Sequence, residues 1–256
     1  MNQGSRIRRV DILGVGVSAV TMELALNEIA RWIVEREQHY VCVTGVHGVM
    51  ESQKDPELRG IHNRSGLTTP DGMPIVWSGR WAGLRYMQRV YGPDLMLAVC
   101  EQAASHGWRS FFYGAGPGVA ERLAARLGQR FPGLEVAGCY SPPFRPLTDD
   151  EDREITELIN DSAPDLLWVG LGTPKQERWM DAHVGRIRAP VMLGVGAAFD
   201  IHAGLLPQAP RWMQRSGLEW AYRLAREPRR LWRRYLYNNP RFVTAVLARP
   251  PRIISG

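Results

Sequence analysis

The chain has 256 residues, 45% of them hydrophobic and 23% charged, with a formal net charge of +6. A chain of that length buries roughly 70–75% of its unfolded surface, so its fold requires neither disulfides nor a structural metal; Cys42, Cys100 and Cys139, without CxxC or Cys/His spacing, read as reduced thiols of a cytosolic protein. The start, MNQGSRIRRV, lacks the apolar stretch of a signal peptide, and the longest apolar run, 189–206, contains Asp200 and His202, so no spanning helix is expected.

The first expected strand is 10–17 (VDILGVGV), followed by a helix over 21–37 with Thr21 as N-cap and Glu23 in its first turn. A β-branched strand at 40–46, a helix over 48–58, a short strand or loop at 67–71 and a helix over 72–83 entered through TPDG come next. A helix at 92–106 leads to a strand at 110–113, which GAGPG turns into a helix over 119–130. After a strand at 134–140 and a Pro-rich loop, Thr148 caps a helix over 149–162 whose Asp149–Asp150–Glu151–Asp152 start reads as a solvated face. A strand at 166–170, a helix at 176–184 and a last strand at 191–195 complete the pattern. Strict alternation predicts βαβ units, hence an α/β fold with a largely parallel, covered sheet.

Charge divides the chain at about residue 205. Residues 205–256 carry eleven Arg and two Glu, a balance of +9, which leaves −3 for 1–204. Trp212, Trp220, Tyr222, Trp232, Tyr235, Tyr237 and Phe242 are interleaved with those arginines. Cations and aromatics mixed on helices suit a phosphate-covered surface, either a membrane face or a nucleic acid. The expected division is therefore an α/β core over 1–204 and a basic, helical appendage over 205–256. Arg223, Arg226, Arg230, Arg233 and Arg234 share one side only if a helix continues through Pro228, which is expected to break it.

Ligands of open parallel sheets sit at the carboxyl ends of strands. Here those ends read TGVHG (44–48), TPDG (69–72), GAGPG (114–118), GLGTPKQE (170–177) and GVGAAFD (194–200). Gly114 and Gly116 open a helix after a strand; this is either a tight βα turn or a phosphate contact. Asp71 in Pro-Asp-Gly is either a turn residue or a functional carboxylate. His47 and His202 are possible bases or structural histidines. GAGPG lacks full dinucleotide-binding spacing, and neither a GxxxxGK[ST] loop nor a GxSxG elbow occurs, which removes the main support for P-loop NTPases and serine hydrolases. A Rossmann-type NAD(P)-dependent oxidoreductase and a nucleic-acid-binding α/β protein with a basic tail stay as alternatives.

DPEL (55–58), TPDGMPIVW (69–77), RVYGPDLM (89–96), FYGAGPGVAE (112–121), DLLWVGLGTPKQERWM (165–180), GVGAAFDIHAG (194–204) and RWMQRSGLEWAYRLAREPRRL (211–231) follow one another in order. Together they resemble the WecG/TagA/CpsF glycosyltransferases, from about residue 10 to residue 245. The resemblance implies a Rossmann-like core with a helical C-terminal lid, and an inverting, metal-independent transferase without cofactor. Its donor would be a nucleotide sugar, usually UDP-linked and carrying N-acetylmannosamine or glucose. Its acceptor would be a polyprenyl-diphosphate-linked sugar at the cytoplasmic membrane face, in cell-surface polysaccharide or teichoic acid synthesis. Peripheral membrane association is expected, nucleic acid is not, and self-association is left open.

Carried over residue by residue, the resemblance puts the catalytic aspartate on Asp71, with Thr44 and Gln176 beside it. Arg223, Arg230 and Arg233 become ligands of the diphosphate, and Arg89, Gly114, Gly116, Thr173 and His47 bind the substrates or nucleotide. The family's Thr-x-Asn reads Thr44-Gly45-Val46 here, so His47 is expected to take part of the missing Asn's role.

Overall fold

The structure, a computed structural model, describes residues 7–254. Its strands are β1 (Arg9–Ile12), β2 (Val15–Ser18), β3 (His39–Thr44), β4 (Leu67–Pro70), β5 (Arg109–Gly114), β6 (Glu135–Tyr140), β7 (Leu166–Gly170), β8 (Val191–Gly194) and β9 (Arg252–Ile254). Its α-helices are α1 (Met22–Glu35), α2 (Val46–Lys54), α3 (Pro56–Arg64), α4 (Met73–Trp81), α5 (Gly92–His106), α6 (Val119–Arg130), α7 (Asp149–Asp161), α8 (Lys175–His183), α9 (Ala198–His202), α10 (Arg211–Arg215), α11 (Glu219–Arg226), α12 (Pro228–Trp232) and α13 (Asn238–Ala248). A π-helical turn, Arg233–Tyr237, joins the last two helices. The main sheet is ordered β4-β3-β8-β7-β5-β6, and the pairs β3–β8, β8–β7, β7–β5 and β5–β6 are parallel, so the α/β expectation and the Rossmann-like fold hold.

The described residues fold as two compact units: 7–25, 43–91 and 208–254 form the first, and 26–42 and 92–207 the second. In the first unit the expected strand over 10–17 is two strands. Leu13 and Gly14, at φ 55° and 87°, make a two-residue turn, and β1 and β2 pair antiparallel across Ile12 and Val15. Positive φ at both turn positions matches the right-handed twist of a tight hairpin. Nor is 191–195 the last strand, since β9 pairs with β1. Arg249 braces that edge by an ion pair to Asp11 at 3.1 Å. The core beneath joins Val10, Ile12, Val15 and Val17 to Val49, Ile75, Leu84, Met87, Phe242 and Val246, so α13 is built into the unit.

The second unit is centred on β5 and β7, whose FFY and LLWV runs are buried on both faces as a covered parallel sheet requires. Trp168 stacks on Phe112 at 6.4 Å, and Phe199 meets Phe112 edge-on. The predicted cap of α7 is present as a reciprocal box: Thr148 Oγ1 accepts from the Glu151 N–H at 3.2 Å, and Glu151 Oε2 accepts from the Thr148 N–H at 2.9 Å. Where one helix was expected over 48–58, Asp55 starts a second, capping α3 by accepting from the Leu58 N–H at 3.0 Å.

Candidate active site

All five glycine-bearing motifs leave the carboxyl ends of strands, as expected: those after β3 and β4 lie in the first unit, those after β5, β7 and β8 in the second. In the first unit the Asp71 N–H donates to the Thr44 carbonyl at 2.9 Å, and the Val90 N–H to the Pro70 carbonyl at 3.0 Å. These two bonds bring together the ends of β3 and β4 and the segment that carries Arg89. Gly45 is required at the junction, because a Cβ there would stand 2.7 Å from the Asp71 carbonyl oxygen. Gly72, at φ 115°, releases the chain into α4 immediately after Asp71.

Asp71 keeps 31% of its side chain open, whereas Arg89 and Glu219 keep 13% and 14%. The Arg89 guanidinium reaches Asp71 Oδ1 at 3.4 Å and makes a shorter ion pair with Glu219 at the start of α11. It lies 4.0 Å from the centroid of the Tyr91 ring. Burial pushes the Asp71 carboxyl up from its ordinary range; Arg89 opposes this, Glu219 adds to it, and Arg223 opposes it. Burial, with the charges of Glu219 and Asp71, also pushes the Tyr91 hydroxyl up. Arg223 is half-buried, and although burial disfavours its charge, Tyr235, Tyr91, Glu219 and Asp71 favour it. Thr44 is 1% exposed, and its hydroxyl has no partner in the structure.

The inward arginines differ from the expected set. Arg223 is half-buried and feels the charge of Asp71, but Arg230 is exposed and pairs with Glu227 at 2.6 Å, and Arg233 is exposed with its guanidinium 5.2 Å from the Trp232 ring centroid. Arg234 is half-buried as well: burial lowers its pKa, and the charges of Arg223 and Asp71 act on it. The cause is local geometry. Pro228 ends α11 and begins α12, as anticipated, and the π turn over Arg233–Tyr237 then advances the register beyond a 3.6-residue period.

His47 lies on α2, one residue after Val46, which packs on the core of the unit. Its Nδ1 accepts from Asn238 Nδ2 at 3.4 Å, and Asn238 is 4% exposed with an unpartnered Oδ1. An amide absent from position 46 is thus present on α13. Burial, then Arg234 and Lys54, hold His47 down to about 3 from an ordinary 6.5. Its neutral form is the folded one, so its contribution to stability is complete above pH 6.5 and is lost as pH falls toward 3. His47→Gln is expected to make the acid limb of urea-measured stability shallower, by up to about 1.4 kcal/mol per pH unit over that window.

The remaining expected residues lie in the second unit. Gly114, at φ 130°, lets β5 approach β7: a Cβ there would stand 2.7 Å from the Gly170 backbone. Ser141 Oγ lies within hydrogen-bond reach of the carbonyls of Gly114 and Gly116, at 3.2 and 3.0 Å. Gln176 is buried; its Oε1 accepts from the Gly172 N–H at 3.1 Å and its Nε2 donates to Glu177 Oε1 at 3.1 Å. Thr173 donates to the same Glu177 oxygen at 2.8 Å. Both residues fasten the loop after β7. His202 donates to the Pro93 carbonyl at 2.8 Å, and burial lowers its pKa from the ordinary value. The Asp149–Asp152 run starts α7, where Asp152 pairs with His183 and Arg186.

Glu219, Tyr91 and Asn238 were not singled out from the sequence, and Arg234 was noted only as part of the arginine stripe, not as a site residue. For Glu219 a signal existed, since it is one of only two acidic residues in the +9 segment and stands four before Arg223. Among the described residues no group of three or more His, Cys, Asp or Glu is arranged to hold a metal, and no helix is long and apolar enough to cross a membrane.

Residues 10–253 match the model of the glycosyl transferase WecG/TagA/CpsF family. An N-acetylglucosaminyldiphosphoundecaprenol N-acetyl-beta-D-mannosaminyltransferase of Bacillus spizizenii is 34% identical over 77% of this chain and 74% of its own length. Proteins of the same name are 31% identical in Bacillus subtilis, over 76% of this chain and 73% of theirs, and 26% identical in Staphylococcus aureus, over 91% of both.

Proposed function

Because the chain belongs to the WecG/TagA/CpsF family and is a glycosyltransferase, we propose that it moves a sugar from a UDP-linked donor to a sugar carried on a polyprenyl diphosphate. The relatives' name supports that acceptor class and makes N-acetylmannosamine the first donor sugar to test, with glucose second. The observation that carries the reading is Asp71: a carboxylate with 31% of its side chain open, backed by Arg89 and with Arg223 and Arg234 nearby in the same unit.

In the proposed step Asp71 takes the proton of the acceptor hydroxyl as that oxygen attacks the anomeric carbon. The new C–O bond forms while the bond to the donor phosphate breaks, and the nucleoside diphosphate leaves with the electron pair. One displacement inverts the anomeric centre. Arg223 and Arg234 take up the charge growing on the diphosphate, the task a divalent metal performs elsewhere, so the reaction is proposed to need none. The unpartnered Thr44 hydroxyl and the His47–Asn238 pair suit sugar hydroxyl or amide groups.

The proposal includes peripheral attachment to the inner membrane face. Exposed Trp212, Trp232 and Tyr237 stand among exposed Arg211, Arg229 and Arg233, a combination suited to anionic headgroups. The test of the reaction is a donor screen against a short-chain lipid-diphosphate N-acetylglucosamine. Nucleoside diphosphate release is expected to depend on acceptor and to survive EDTA. Failure with every donor, or loss of activity in EDTA that a divalent metal restores, would contradict it.

A further inference from the structure

Arg89 is the joint between the strand ends of the first unit and its C-terminal helices. One nitrogen, Nη2, serves both Asp71 Oδ1, at a long 3.4 Å, and Glu219 Oε2, in a much shorter contact. Nη1 reaches Gln214 Oε1 at 3.5 Å. Tyr91 holds the guanidinium from one side with its ring, and the Glu219 charge helps push its hydroxyl up. Glu219 is held by Arg89 at the first position of α11, with its side chain 14% exposed.

We propose that Glu219 is a positioning residue for the transfer: by drawing Arg89 onto itself, it prevents that guanidinium from closing on Asp71 and leaves Asp71 able to accept the acceptor's proton. This rests on the reading of Asp71 as the base. An arginine free of Glu219 would form a bidentate pair with Asp71, since fork and carboxylate match in geometry. A carboxylate paired in that way is a weaker base and a poorer proton acceptor. The same bond orients α11. Glu219 and Arg223 stand four residues apart on one helical face, so seating Glu219 on Arg89 directs Arg223 toward Asp71.

The groups around Asp71 leave Glu219 as the one that can act in this sense. Arg89 and Tyr91 come from the segment after α4, Glu219 and Arg223 from α11, and Arg234 from the π turn. Tyr235 adjoins Arg223 and Arg234, and His47 adjoins Arg234 and is held neutral. Three of these groups are cations. Glu219 is a carboxylate whose charge raises the basicity of Asp71.

The experiment is the pH dependence of kcat for the full chain, with Glu219→Gln and Glu219→Asp beside the wild type. In Glu219→Gln the acid limb of kcat is expected to move down by about one pH unit. Its plateau is expected to fall about tenfold, with the donor KM within about threefold, because the base is weaker while the binding groups remain. Glu219→Asp keeps the charge and is expected to keep the wild-type limb. A limb unmoved in Glu219→Gln, or moved equally in both variants, overturns the proposal. Asp71→Asn in the same assay separates the two levels: if it turns over near the wild-type rate, the base reading falls and takes this one with it; if it is inactive while Glu219→Gln keeps the wild-type limb, only the role of Glu219 is wrong.

Discussion

Asp71→Asn is expected to lower kcat by about 10³-fold while leaving nucleotide affinity within a few-fold of wild type. Asn matches Asp in shape, and its carbonyl can still accept from Arg89. The backbone bonds that fix this position, Asp71 N–H to Thr44 and Val90 N–H to Pro70, involve no side chain. What disappears is the carboxylate, 31% of whose side chain is open, as the proposed base. Donor binding depends on other groups, so the damage belongs in kcat and not in the dissociation constant. Single-turnover kinetics with calorimetric nucleotide binding checks both halves. A variant turning over within tenfold of wild type removes Asp71 from the chemistry.

The second large effect separates the inward arginines from the outward ones. Arg223→Ala and Arg234→Ala are each expected to cost about 10²- to 10³-fold in kcat/KM, the usual consequence of losing one preorganised donor to a developing anion. Arg230→Ala and Arg233→Ala are expected to stay within about threefold, because Arg230 pairs with Glu227 in solvent and Arg233 rests on Trp232. The four variants, measured by nucleoside diphosphate release at saturating acceptor, form two groups of two. Large losses at Arg230 and Arg233, with small ones at Arg223 and Arg234, would return the leaving-group role to the set expected from sequence.

That contrast shows what kind of information the sequence held. Strand ends were legible because glycine, Pro-Asp-Gly and helix caps act over a few residues: the loops after β3, β4, β5, β7 and β8, the Thr148 cap and the break at Pro228 all stand where local chemistry put them. Asp71 was legible for the same reason. The split of 10–17 was not, because Leu-Gly is a weak turn signal beside Asn-Gly, and β9 was not, because three residues of strand acquire meaning only from a partner as distant as β1. Choosing between Arg233 and Arg234 depended on a π turn, which no periodicity in the residues announces. Glu219 was visible as an oddity of charge, but its contact with Arg89 arises only in the fold.

The pairing of β9 with β1 sets the order in which this enzyme becomes one. A ribosome delivers the β1–β2 hairpin and Asp71 long before it delivers Phe242, Val246 and β9. Until then β1 has an unpaired edge and the apolar face of the hairpin lacks its last covering helix, the state most prone to wrong association. Asp71 meanwhile has Arg89 beside it but neither Glu219 nor the two inward arginines. A chain stopped before residue 208 is therefore expected to be an incompletely folded and sticky fragment, not a slow transferase. Removing the basic segment also removes part of the core, so exposed-residue substitutions such as Trp212→Ala, not truncation, test its proposed membrane contact.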